Sequence, residues 1–152
     1  MKIILCGIIP FLTAFIGYFL SNKYSERKEF FEDFDCFHKI LKTEISFTKR
    51  TIYEILKGNR ENSDFLDLIQ RFLNGNTEYC LKYLKKEEHD FVKKYFENLG
   101  VLDKVSQLDY INSLNDRIQK MVTDSQNEQK KYRPLYIKLG FLFGLVIFIL
   151  LI

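Results

Sequence analysis

The chain has 152 residues, with 23 Lys or Arg against 20 Asp or Glu, a net charge of +3. Residues 3–20 and 139–152 carry no charge, so the chain is not wholly soluble. Residues 21–134 between them hold 21 basic and 20 acidic residues, which excludes the strongly basic surface of a nucleic-acid binder.

The first uncharged block is rich in Ile, Leu and Phe: eleven of its eighteen residues. As a helix it would run roughly 27 Å, close to a hydrocarbon thickness. Those eleven residues favour insertion by about 3–7 kcal/mol before Gly and Pro are subtracted. Lys2 gives it the basic start of a signal peptide, but no A-x-A-like cleavage site follows. The block therefore reads as an uncleaved transmembrane helix over 3–21. Thr13-x-x-x-Gly17 puts two small residues on one of its faces.

Helical periodicity dominates the middle. Phe30, Phe34, Phe37, Leu41 and Ile45 step by three or four and form one face, with Phe31 and Phe47 off that stripe. Gly58 to Asn62 breaks the chain. Ser63 could cap a helix running to Asn74, with Leu66, Ile69 and Phe72/Leu73 inward and Gly75 closing it. Another helical piece starts near Thr77, and one more runs from Lys86 to Leu99, ended by Gly100. Asp103 then caps the longest run, whose inward face reads Val105, Leu108, Ile111, Leu114, Ile118 and Met121. The pattern fades near Ser125, a polar helix continues, and Pro134 ends or kinks it.

The second uncharged block, Leu139–Ile152, is short alone; adding 135–138 gives roughly 27 Å, with Lys138 snorkelling and Tyr132 and Tyr136 at headgroup level. Gly140-x-x-x-Gly144 would let another helix backbone approach closely. Lys23, Arg27 and Lys28 follow the first block, and Lys130, Lys131, Arg133 and Lys138 flank the second. The positive-inside rule places the middle in the cytoplasm. Three scattered cysteines, Cys6, Cys36 and Cys80, without Cys-x-x-Cys, agree with a reducing compartment.

The expected fold is all-α: a cytoplasmic helical bundle of five to six helices over 22–134, flanked by transmembrane helices 3–21 and 135–152. Nothing in it points to catalysis. His38 and His89 stand apart and read as structural or surface residues, so no metal site is expected. Cys36 and Cys80 read as small core or boundary residues, and Glu32/Asp33 and Glu87/Glu88 as solvated faces. There is no Walker loop, GxGxxG, HExxH or GxSxG, and no cofactor is expected. Most of the 15 Phe and 9 Tyr are expected in the core.

The layout of span, helical domain and terminal span resembles the stage III sporulation protein AB family. Three stretches carry the resemblance: Ser25–Phe30 with Leu41–Phe47, including the Glu44-Ile45 pair; Leu99-Gly100 with Asp103 and Gln107; and Tyr132-Arg133 through Gly140 and Gly144 to Ile152. Two departures are Pro134, where the family runs on as helix, and the missing proline around Arg50–Tyr53. The resemblance implies a non-enzymatic platform in the channel complex between mother cell and forespore. Its helical domain is similar to that of type II secretion platform proteins. The implied partners are the other channel subunits and a cytoplasmic secretion-type ATPase, and homo-oligomers are compatible with the reading. The implied location is the mother-cell membrane around the forespore. Two rivals of other classes are a membrane-anchored sensor or generic scaffold unrelated to sporulation, and a membrane enzyme. The flanking charges oppose a sensor with an extracytoplasmic domain, and neither span carries Asp, Glu or His for intramembrane chemistry.

Overall fold

A computed structural model describes residues 8–47, 64–74, 81–99 and 103–151. Four helices account for nearly all of them: α1, Ile9–Phe47; α2, Asp64–Leu73; α3, Lys86–Glu97; and α4, Lys104–Leu151. There is no strand among the described residues. The expected first span and first bundle helix are one helix, α1. The expected capped run, polar helix and terminal span are likewise one helix, α4. Ser63, Gly75, Thr77, Cys6, Cys80, Gly100 and the break at Gly58 lie outside the described residues.

Pro134 does not end α4; it lies inside it. A mid-helix proline removes one backbone hydrogen bond and crowds the preceding turn. On either side of it, Tyr132 stacks on Tyr24 and the Tyr136 carbonyl abuts Gly17.

The chain divides into two compact units. One spans Glu29–Thr123 and is packed around aromatic rings. Phe30, Phe34, Phe37 and Leu41 are buried as the stripe predicts, and Ile45 packs at the edge. Phe31 is fully buried too, a correction to the single stripe. The α1 segment is contacted from more than one side, so its buried arc is wider than one row. Phe65 of α2 meets Phe30, Phe34 and Phe37 at ring distances of 5.5–5.6 Å. Tyr95 of α3 stands edge-on to Phe34 at 4.8 Å, and Phe72 stacks on Phe96 at 4.9 Å. Ile69 is inward as expected, joined by Leu68; the side chains of Leu66 and Leu73 lie outside the description.

On α4 the expected face holds except at its start: Ile111 and Ile118 are core residues, and Leu114 and Met121 pack against them. Gln107, Ile111, Ile118 and Val122 are buried, while Leu108, Leu114 and Met121 are half-buried. Val105 is 69% exposed, against expectation. It lies in the first turn beside the cap, and the polar Gln107 occupies the inward position there.

Two further expectations are corrected. Cys36 is exposed, since it points away from the face shared by Phe34, Phe37 and Leu41. Glu88 is buried rather than solvated, because its carboxylate accepts the Lys85 backbone N–H at 2.9 Å and so closes the start of α3.

The other unit holds the chain up to Lys28 and from Asp124 onward. Its two arms are antiparallel: Phe11 meets Phe141, Thr13 meets Gly140, Tyr24 meets Tyr132 and Arg27 meets Glu128. Its burial is the inverse of the first unit's. Among the described residues, every large hydrophobic that is strongly exposed, Val105 excepted, belongs to these arms. Among the described residues, what the arms bury is small or polar: Pro10, Gly17, Ser21, Ser25, Arg27, Ser125 and Gly144.

Candidate functional site

The seam between the two arms is where the sequence places its small-residue candidates. Gly140 lies so close to α1 that a Cβ there would stand 2.5 Å from the Thr13 carbonyl oxygen and 3.3 Å from the Ala14 Cα. Gly17 faces α4 in the same way, with the Tyr136 carbonyl oxygen at 2.5 Å and the Ile137 Cα at 3.4 Å. At Gly144 a Cβ would collide with the Thr13 hydroxyl oxygen and the Pro10 Cα. Each obstacle includes backbone, which cannot rotate aside. The four candidates therefore share one seam, and the bare glycines set how near the two backbones come. Thr13 keeps its polarity local: its hydroxyl donates to the carbonyls of Ile9 and Pro10 at 3.1 and 3.0 Å.

Further along, the seam turns polar. Ser21 is fully buried and its hydroxyl donates to the Tyr18 carbonyl at 2.7 Å. Arg27, 4% exposed, donates to Glu128 at 2.7 Å, and the Gln129 amide donates to Ser25 at 3.3 Å. Nothing in the sequence paired Arg27 with Glu128, 101 positions away. The only local signal is a run of small hydroxyl residues at helical spacing, Ser21 and Ser25.

The family-matched positions belong to the Glu29–Thr123 unit and have structural surroundings. Glu44 is half-buried near the end of α1, and Ile45 beside it packs on the core. Leu99 also packs on the core, and Gly100 lies outside the described residues. Asp103 accepts the backbone N–H groups of Val105 and Ser106 at 3.2 and 3.3 Å, the geometry of an N-cap. Hydrogen bonds from the Ser106 side chain and backbone hold its carboxyl below its usual range. Gln107 is buried in the first turns of α4.

His38 is fully buried, with Nδ1 3.1 Å from the Tyr95 hydroxyl. Burial pushes its pKa down, and the charges of Lys42 and Lys39 add to this while Asp35 opposes it. Burial likewise pushes the Tyr95 hydroxyl above its usual range. His89 sits 2.9 Å from the Leu81 carbonyl. Both histidines thus have structural partners, and no cluster of metal-ligating residues occurs among the described residues.

Residues 58–152 match the family model described as Stage III sporulation protein AB. The match takes in residues 58–98, outside the three stretches that carry the resemblance, and leaves out the Ser25–Phe47 stretch. A curated protein of that name from Bacillus subtilis (strain 168) is 34% identical over 68 residues, 45% of this chain. That alignment spans 40% of the relative's length. No solved structure matches. The family model covers well over half of the chain, including α2, α3 and the whole of α4 with Gly140 and Gly144, and the chain belongs to the stage III sporulation protein AB family.

Proposed function

We propose that this protein is a non-enzymatic membrane platform of the channel complex between mother cell and forespore. In this reading the two arms cross the membrane as a hairpin, and the Glu29–Thr123 unit lies in the cytoplasm and receives a secretion-type ATPase.

One observation carries the membrane part: the reversed burial of the two arms. In water an antiparallel helix pair would bury its Phe, Leu and Ile and expose its Ser and Arg. Here the large apolar residues of both arms point outward and Gly, Ser and Thr line the seam. That is the packing expected where the surroundings are as apolar as Leu. α4 contains a stretch long and apolar enough to cross a membrane. The α1 arm shares the same outward row, with Phe11, Phe15 and Phe19 one turn apart.

The sporulation part follows from family membership, and the platform role from the likeness to secretion platforms. It fits a chain whose polar unit is an ordinary packed core with structural uses for both histidines. The test is a clean deletion in the source organism followed by microscopy of sporulating cells. Arrest after engulfment with small or collapsed forespores is expected. Normal spores would discard the assignment. Copurification of the tagged chain with a secretion-type ATPase, lost when the Glu29–Thr123 unit is removed, would support the coupling role; capture unchanged by that removal would refute it.

A further inference from the structure

Where the apolar part of the hairpin gives way to its polar part, rings and cations from both arms gather at one level. Tyr24 of α1 stacks on Tyr132 of α4 at 5.2 Å and leans on Tyr136 at 5.8 Å. Lys23 Nζ lies over the Tyr24 and Tyr136 rings at 5.2 and 5.8 Å. The Arg133 guanidinium lies over Tyr18 at 5.4 Å, and Lys131 Nζ over Tyr132 at 5.2 Å. Directly below, Leu20 and Leu135 begin the exposed apolar surface.

The cations are not neutralised there. Among the described residues, Lys23, Lys131 and Arg133 take part in no ion pair, and Lys23 and Lys131 are exposed. The two nearby carboxylates are engaged: Glu128 with Arg27 at 2.7 Å, and Glu26 with the Asn22 amide at 2.8 Å. A tyrosine face holds each ammonium or guanidinium in place while leaving its outer N–H groups open. The site therefore offers positive charge, fixed in direction by both arms, at the upper edge of an apolar wall. A phospholipid with a net negative headgroup complements both features: its acyl chains lie along the outward Phe and Leu, and its phosphate meets the cations.

We infer that this collar of Lys23, Lys131 and Arg133 on Tyr18, Tyr24, Tyr132 and Tyr136 is a binding site for anionic phospholipid headgroups. The inference rests on the membrane-hairpin reading and goes beyond it, since a hairpin could cross a membrane without selecting lipids.

The test uses the full chain reconstituted into phosphatidylcholine vesicles carrying a trace of spin-labelled phosphatidylglycerol or spin-labelled phosphatidylcholine. The motionally restricted fraction of each label gives their relative association with the protein. A preference of about fivefold or more for phosphatidylglycerol is expected, from a charge–surface attraction of the order of one such step per basic residue. It should fall as salt is raised. The triple variant Lys23→Gln, Lys131→Gln, Arg133→Gln should lose it at equal protein incorporation, and Lys23→Arg with Lys131→Arg should keep it. Excess inorganic phosphate at constant ionic strength should leave it unchanged. Equal association of the two labels, indifference to salt, or displacement by free phosphate would each overturn the inference. A preference that survives the triple variant would also overturn it. Failure of the native chain to incorporate at all would instead refute the hairpin reading beneath it.

Discussion

Replacing Gly140 with leucine perturbs the seam at its tightest point. The first added carbon would stand 2.5 Å from the Thr13 carbonyl oxygen, where ordinary contact begins at 3.4 Å. The backbones must part by about 1 Å for alanine alone, because neither the Thr13 carbonyl nor the Ala14 Cα can rotate away. Overpacking of this kind costs about 1–3 kcal/mol. Leucine adds three more carbons to the same place, so the arms separate rather than compress. The readout is a crosslink by a short bis-maleimide between cysteines placed at Phe11 and Phe141, whose rings meet at 6.3 Å. The background chain has Cys6, Cys36 and Cys80 changed to serine. With the native glycine the crosslink should form readily in membranes; with Gly140→Ala it should form more slowly; with Gly140→Leu it should be largely lost. Leu139→Ala, on the exposed side, should have no effect. If Gly140→Leu crosslinks as fast as the native chain, close packing at Gly140 is not what holds the arms together.

Further expectations concern the polar parts. Unfolded His38 takes up a proton near its ordinary value of 6.5, while burial holds the folded group lower. The unfolded state then binds more protons between those two values, so stability should fall as pH drops below about 6.5. His38→Leu should flatten that dependence in thermal melts across this range; an unchanged slope would exclude His38 as its source. Glu128→Gln leaves the buried Arg27 guanidinium with a neutral partner and should cost about 1–3 kcal/mol in the same melts, as loss of a charged hydrogen bond does. No loss would mean the pair is dispensable. Asp103→Ala removes the acceptor for two amides at the start of α4, so Val105 and Ser106 should exchange their amide hydrogens faster. Unaltered exchange would rule out the cap.

The helical class and the aromatic stripe of α1 are legible in the sequence because apolar residues at three- and four-residue steps match the turn of a helix and not the alternation of a strand. The error at α4 shows where periodicity fails. Its apolar letters place Val105 on the inward face, but in that first turn Gln107 is the buried residue and Val105 is exposed. A buried polar residue is invisible to a hydrophobic pattern. Glu88 escapes notice for a similar reason: no Ser or Thr precedes it by three residues, so half of a capping box goes unread. Pro134 reads as an end or a kink because proline lacks the backbone N–H of a helix interior, yet α4 continues through it. At the seam, the small-residue spacing names Thr13, Gly17, Gly140 and Gly144. What they touch, namely Pro10, Ala14 and the Tyr136 carbonyl, depends on a register between arms more than a hundred residues apart. The Arg27–Glu128 and His38–Tyr95 pairs depend on tertiary packing in the same way.

The central claim is a membrane hairpin that holds the Glu29–Thr123 unit in the cytoplasm, and Cys36 reports on it directly. It belongs to that unit and is exposed, so a thiol reagent can reach it. A chain with Cys36 as its only cysteine, made in growing cells, would be treated with a membrane-impermeant maleimide before and after permeabilisation. The account predicts no labelling of intact cells and full labelling once the membrane is opened. Labelling of Cys36 in intact cells would place the unit outside and contradict it.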